Sequence, residues 1–487
     1  MAIRIVGGGL AGSEAAWQAA SRGVPVTLYE MRPVRATAVH KTDRLAELVC
    51  SNSFRGDKLD NAVGLLKEEM RRLDSLVMRA AEASRVPAGA ALAVDRERFA
   101  DIVTQTLAAH PLITIVREEI TTIPLSGEHT PVIVATGPLT SEALSADLAS
   151  IVGQSHLYFY DAISPIVLAE TIDRSKVFRQ SRWDRSLRGA GVPGARVPGA
   201  TVPGATVPAA DGAACGVDDG EGDYLNCPMT RGEYEAFYQA LVTAESATVH
   251  DFDKERFFEG CLPIEVMAHR GPDTLRFGPM KPVGLLDPRS GREPYAAVQL
   301  RQDNLAGDHF SLVGFQTQIK WGDQARVLRM IPGLEAAEFV RFGMVHRNTY
   351  VNGPTVLAET WQVRARPTLF FAGQMSGVEG YVESAASGLL AGINAAALAT
   401  GRPVSSPPRT TAIGALAYYV SHANPAHYEP SNITFGIIQA LDSGKAPRAK
   451  KLRNLALSER ALADLATWMR SDLDFRAHRQ PGEKIEI

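Results

Sequence analysis

Three stretches of this 487-residue chain predict an α/β fold in which a parallel, nucleotide-binding sheet is interrupted by an inserted α+β domain. In the first, Ile3–Val6 reads as a strand, Gly7-Gly8-Gly9-Leu10-Ala11-Gly12 as a turn and residues 13–22 as a helix, before a second strand at 24–29 that ends in Glu30. In the second, residues 131–137 form a continuous apolar run closing on a small-residue turn, the form of a buried parallel strand whose carboxyl end faces a ligand. In the third, residues 368–374 are another strand ending in glycine, followed by Gly377, Gly380 and a small-residue helix at 383–397. Together they describe a Rossmann-like dinucleotide-binding domain written at both ends of the sequence.

The glycine turn carries the strongest signal. A G-x-G-x-x-G motif between strand and helix, with an acid about 20 residues on for a ribose hydroxyl, is a dinucleotide fingerprint. Gly7 permits the tight turn, Gly9 lets backbone approach a pyrophosphate and Gly12 lets the helix pack closely. Leu10 and Ala11 open the helix, whose N-terminal amides face the phosphates. Gly373 and Gly377 in the returning segment complete the candidate cofactor-binding set of Gly7, Gly9, Leu10, Ala11, Gly12, Glu30, Gly373 and Gly377.

Between these anchors the elements follow in order. Residues 45–53 form a short element ending in an exposed polar turn at Ser51-Asn52-Ser53. Residues 60–84 are one long helix, because Val63, Leu66, Met70, Leu73, Val77 and Ala80 make a single apolar stripe, with Lys67, Glu68, Arg71 and Arg72 on a solvated face. Asp95 caps a second helix carrying Phe99, Ile102, Val103 and Leu107, which stops at His110-Pro111 before a strand at 112–116. From about residue 151 the texture changes. Residues 186–222 repeat Val-Pro-Gly-Ala and read as a surface loop without chemistry, and short strands at 296–300 and 311–315 among Pro/Gly turns mark the inserted domain. The expected division is 1–150 and 325–440 for the two parts of the nucleotide-binding domain, 151–324 for the insertion and 441–487 for a helical tail, basic at 443–454.

Bulk properties narrow the function. The formal net charge of −3 excludes a global basic field, so a nucleic-acid partner must meet a local patch. Cys50, Cys215, Cys227 and Cys261 are widely spaced and without CxxC pairs, which fits a reducing compartment and implies no metal. With no leader pattern and no 18-residue apolar run, the expectation is a soluble, cytoplasmic protein with no membrane contact.

The fingerprint binds a nucleotide but performs no reaction, so reactive groups come from elsewhere. Cys215 lies in the repeat loop and Cys261 among apolar neighbours, so both read as structural, while Cys50 borders the polar turn. Cys227, in Asn226-Cys227-Pro228-Met229-Thr230, sits just ahead of a helix that Thr230 and Glu233 open as a capping box; oriented helix amides there would stabilise a thiolate.

The glycine turn with Glu30, Ala46-Glu47-Leu48-Val49-Cys50-Ser51-Asn52-Ser53, Tyr224-Leu225-Asn226-Cys227-Pro228-Met229-Thr230, Val313-Gly314-Phe315-Gln316-Thr317 and Phe371-Ala372-Gly373-Gln374-Met375-Ser376-Gly377-Val378-Glu379-Gly380-Tyr381 together resemble the folate- and FAD-dependent tRNA (uracil-5-)-methyltransferases of the TrmFO family, over roughly residues 2 to 436. The long repeat loop departs from the family pattern. The resemblance implies an FAD-binding domain of glutathione-reductase type. It also implies methylation of the T-loop uridine at tRNA position 54, with methylenetetrahydrofolate as carbon donor and NAD(P)H as electron source through FAD. It further implies Cys227 as the nucleophile toward uridine and Cys50 as its partner, either a base or a thiol engaging the flavin-bound carbon. One nucleotide fingerprint implies transient NAD(P)H binding at the flavin. No obligatory protein partner is expected. The same chemistry on a ribosomal RNA uridine and a non-catalytic flavin-containing RNA-binding protein are the alternatives; Asn226-Cys227-Pro228 argues against the related glucose-inhibited division flavoprotein. His346-Arg347-Asn348 reads either as a folate-contacting cluster or as a strand-end turn.

Overall fold

The computed structural model describes residues 2–37, 39–124, 130–152, 157–162, 164–184, 222–246, 262–343, 345–442 and 447–471. Most of the repeat loop, Cys215, Cys261 and the last residues of the tail lie outside them.

The nucleotide-binding sheet has six strands in the spatial order Gln362–Val363, Arg366–Phe371, Val132–Val134, Ile3–Val6, Val26–Glu30 and Ile113–Arg117. All neighbours run parallel except the first pair. The two ends of the chain therefore meet within one sheet, as the apolar runs at 131–137 and 368–374 require. The helix Leu10–Ala20 that follows the glycine turn lies against Tyr381–Ala399, and their backbones touch: a Cβ on Gly388 would come within 2.1 Å of the Ala11 carbonyl, and one on Gly392 within 2.6 Å of that of Ala15. Tyr381–Ala399 is long and apolar enough to span a membrane, but 83% of its apolar window is buried in the protein, so its composition serves core packing.

The helix expected over 60–84 is broken into Ala62–Arg72 and Leu76–Ala83. The cause is a buried acid on another element. Glu14, on the first helix, accepts hydrogen bonds from Ser75 Oγ at 2.8 Å and from the Val77 amide at 2.9 Å, while Trp17 and Gln18 donate to the Asp74 and Leu73 carbonyls. Asp74 takes a left-handed φ of 57° and Ser75 caps the new helix at the Met78 amide. Lys67 is also not on a solvated face. It is fully buried, donates to the Phe54 and Arg55 carbonyls and pairs with Asp57 at 3.2 Å. Asp95 caps Arg96–Ala108 as expected, through the Arg98 amide.

The second sheet is antiparallel throughout, in the order Phe178–Arg179, Tyr224–Met229, Ala296–Gln302, His309–Leu312, Ile166–Leu168, Phe339–Arg341. It has its own core, which includes Leu225, Met229, Phe237, Phe310 and Phe315. Its last strand lies beyond residue 324, and Leu157–Ala162 paired with Val345–Tyr350 forms a two-stranded connection between the two sheets' segments. His346-Arg347-Asn348 therefore lies within a strand rather than a turn; its side chains are outside the described residues. The C-terminal helix Lys450–Ser471 returns to the nucleotide-binding domain, burying Leu457, Ala461, Leu465 and Trp468 in the first core while Lys450, Lys451 and Arg453 stay exposed.

Candidate active site

The glycine turn opens onto a cleft of about 1060 Å³, its mouth included, lined by Gly7 to Ala11, Glu30, Glu47, Val49, Thr136, Gly373, Gln374 and Tyr381 among others. Each glycine has a distinct steric role. Gly7 has φ 107° and presses on the Ala135 carbonyl, where a Cβ would lie 2.5 Å away. A Cβ on Gly12 would lie 1.8 Å from the Gly7 carbonyl, so the helix start packs onto the turn. A Cβ on Gly9 would meet nothing within 4 Å, and no side chain caps the helix there. The N-terminal amides at Leu10 and Ala11 thus face open space, which is what a dinucleotide pyrophosphate needs. Gly373, φ 77°, faces the same cleft, with its amide donating to Ser387 Oγ at 2.7 Å. Gly377, φ 91°, instead packs against the Tyr428 ring and is not among the cleft-lining residues.

Glu30 is tied into the turn. Its carboxylate accepts from the Gly8 amide at 3.0 Å and from Arg32 through its backbone amide, Nε and Nη2. Burial alone would raise this carboxyl, but the hydrogen bonds and charge of Arg32 hold it below the usual carboxylate range. These bonds occupy about all four acceptor positions of a carboxylate, so a ribose hydroxyl here would share them. Arg32 continues to Glu47 at 3.0 Å, which links the acid of the fingerprint to the segment leading into Cys50.

The Cys50 turn sits where the nucleotide cleft meets the inserted domain, and distant residues fix it. Tyr381, at the first position of the long core helix, accepts from the Cys50 amide at 2.7 Å and the Ser51 amide at 3.1 Å. Arg341 donates to the Val49 and Cys50 carbonyls at 2.6 and 3.2 Å. Arg96 donates to the Leu48 carbonyl at 2.9 Å and grips Asp303 through two nitrogens at 3.0 and 3.1 Å. Arg301 donates to Asn52 Oδ1 and Ser51 Oγ, each at 2.9 Å, while Asn52 Nδ2 donates to the carbonyls of Val94, Gln302 and Asp303. The expected exposed turn is corrected accordingly: Asn52 is fully buried and Cys50 is half-buried. Burial, and then the neighbouring Cys50 sulfur, push the Tyr381 hydroxyl up, so it stays protonated.

Cys227 lies elsewhere. It sits in the middle of Tyr224–Met229, opposite Val298, and points with Leu225 and Met229 into the second core, fully buried. The capping box is present, with Thr230 and Glu233 bonded reciprocally, but it caps a helix that begins at Arg231 while the sulfur faces the apolar side of the sheet. Burial pushes its thiol up, and Glu335 adds to this against a weaker opposing pull from Arg174. The expectation of a thiolate stabilised by helix amides is therefore corrected: desolvation prevails over the helix end. Cys227's electrostatic neighbours, Glu335 and Arg174, differ from those of Cys50, which are Arg96, Arg301, Arg341 and Tyr381.

Sequence reasoning missed Arg32, Glu47, Arg96, Arg301, Asp303 and Arg341. Arg301 and Arg341 each end a strand of the inserted sheet or lie beside its end, which was the available signal. Among the described residues no cluster of His, Cys, Asp and Glu could hold a metal ion.

The family model described as glucose inhibited division protein A matches residues 2–191 and 211–403. The chain is 56% identical over 468 residues, 96% of its own length and 98% of the relative's, to the methylenetetrahydrofolate--tRNA-(uracil-5-)-methyltransferase TrmFO of Desulforudis audaxviator. It is 54% identical over 475 residues to the protein of the same name from Streptococcus thermophilus, again covering 96% of this chain and 98% of the relative. Among solved structures, two crystal forms of Aquifex aeolicus GidA superpose with a TM-score of 0.67 at 17% and 18% identity, covering 97% of this chain and 75% and 76% of theirs, which shows a shared fold. With the glycine turn, the cleft and the Cys50 turn in place, the chain belongs to the TrmFO family of methylenetetrahydrofolate--tRNA-(uracil-5-)-methyltransferases.

Proposed function

We propose that this protein methylates C5 of the T-loop uridine at tRNA position 54, with methylenetetrahydrofolate giving the carbon and NAD(P)H the electrons, in the cytoplasm and without an obligatory protein partner. The supporting observation is the Cys50 turn. It joins the nucleotide cleft, through Val49 and Tyr381, to the inserted domain, through Arg301 and Asp303.

FAD fits the cleft at Gly7, Gly9, Leu10, Ala11, Gly12 and Gly373, with Glu30 fixing the turn, and when bound it supplies the reducing power that turns a transferred methylene into a methyl group. Uracil C5 is a poor nucleophile until a thiolate adds at C6. The ring then becomes an enolate whose C5 bonds the methylene carbon; the C5 proton leaves to a base, and the thiolate departs as the C5–C6 double bond reforms. Overall, NAD(P)H loses two electrons and leaves as NAD(P)⁺, and the folate leaves as tetrahydrofolate. We assign the adding thiol to Cys50, which the sequence had given the partner role, because it is half-buried beside the cleft while Cys227 is sealed in an apolar core. The target uridine must leave its stack to reach this seam.

The test is to incubate the FAD-containing protein with unmodified tRNA transcript, NADPH and carbon-labelled methylenetetrahydrofolate. Label appears in 5-methyluridine at position 54. Absence of label in any uridine would overturn the assignment, and label at another uridine would overturn the position.

A further inference from the structure

Two cations near Cys50 lack acidic partners. Arg96 is paired with Asp303, but Arg301, only 9% exposed, has no carboxylate within salt-bridge distance among the described residues. The same holds for Arg341, whose Nε is buried with no hydrogen-bond partner. A buried guanidinium is costly unless an anion answers it. The hydrogen bonds these two do make go to neutral groups, and all of them lie on one turn: the Val49 and Cys50 carbonyls for Arg341, and Asn52 Oδ1 and Ser51 Oγ for Arg301. The charges converge on a single residue, and each interacts attractively with the Cys50 sulfur.

We propose that Arg301 and Arg341 are positioning residues whose charges hold the sulfur of Cys50 as its anion. The groups facing Cys50 are Arg96 from the helix after Asp95, Arg301 and Asp303 from the end of one inserted-domain strand, Arg341 from the end of another, and Tyr381 from the core helix. Asp303 neutralises Arg96, and Tyr381 stays protonated, so the balance around the sulfur is positive. Burial, followed by repulsion from Arg96, pulls Arg341 down to about 10, the direction expected of a cation in need of an anion. Both arginines come from the inserted domain, whereas Cys50 belongs to the nucleotide-binding domain. The reactive state of the thiol thus requires the two domains to be docked.

The proposal rests on Cys50 as the reacting thiol, but its test is independent of methyl transfer. Alkylation of Cys50 by iodoacetamide in the FAD-loaded protein is followed by peptide mass spectrometry at pH 7 and pH 9. An ordinary thiol, with a pKa near 8.5, speeds up by more than about tenfold across this interval as its thiolate fraction grows. Cys50 is expected to change by less than about threefold, a ratio that is independent of how accessible the sulfur is. Arg341→Met restores a rise of about tenfold, while Arg341→Lys, which keeps the charge, stays close to wild type. An ordinary tenfold rise in the wild-type protein overturns the proposal whether or not the variants fold. So does an unchanged ratio in Arg341→Met with FAD retained. A flat wild-type ratio combined with a fully active Cys50→Ala enzyme would leave the electrostatic proposal standing and overturn the reacting role of Cys50.

Discussion

The two described cysteines occupy opposite physical environments. Cys227 is one of several apolar side chains filling the core of the inserted domain, where its neighbours arrive through adjacent strands of one antiparallel sheet. Cys50 is held in a polar seam by partners at positions 96, 301, 341 and 381, brought together from four separate elements of both domains. In the first environment the loss of water around the sulfur decides its chemistry, and the thiol is held neutral. In the second, hydrogen bonds fix the backbone while the guanidinium charges are directed at the side chain. A helix start nearby in sequence therefore counts for less than the direction in which the strand points the sulfur.

The contrast predicts unequal responses to substitution. The largest stability effect is expected in the seam. Arg96→Met leaves Asp303, 6% exposed, as an unpaired buried carboxylate and costs about 3–5 kcal/mol in urea unfolding. A loss under about 1 kcal/mol would show that water already solvates the seam, weakening the comparison. Tyr381→Phe removes the acceptor of two backbone amides and costs about 1–3 kcal/mol, with a fall in methyl-transfer rate while FAD absorbance is retained. Cys227→Ser places a hydroxyl in the apolar core. It costs about 1–3 kcal/mol, less if the serine finds a strand carbonyl, and the FAD content of the folded fraction is unchanged.

How far the sequence carried these conclusions depended on the range of the contacts. The glycine turn, the returning strand before Gly373 and the caps at Asp95 and Thr230 are local patterns, and each forms where it was read. The break at Asp74 was illegible because Glu14 causes it from 61 residues away, on a helix whose stripe gave no sign of a buried acid. Lys67 looked solvated because helical periodicity cannot show that the carbonyls of Phe54 and Arg55 close over it. Asn52 looked exposed for the same reason, since its partners at 302 and 303 lie about 250 residues on. At Cys227 the helix start itself was read correctly; period-two alternation in the strand before it, which puts 225, 227 and 229 on one face, was the overlooked signal.

The most direct test compares methyl-transfer rates of wild type, Cys50→Ala and Cys227→Ala, each purified with FAD and supplied with unmodified tRNA, NADPH and labelled methylenetetrahydrofolate. The account predicts a loss of at least about a thousandfold for Cys50→Ala and a rate within about threefold of wild type for Cys227→Ala. An inactive Cys227→Ala protein with its fold and FAD intact, beside a Cys50→Ala protein that still turns over, would contradict it.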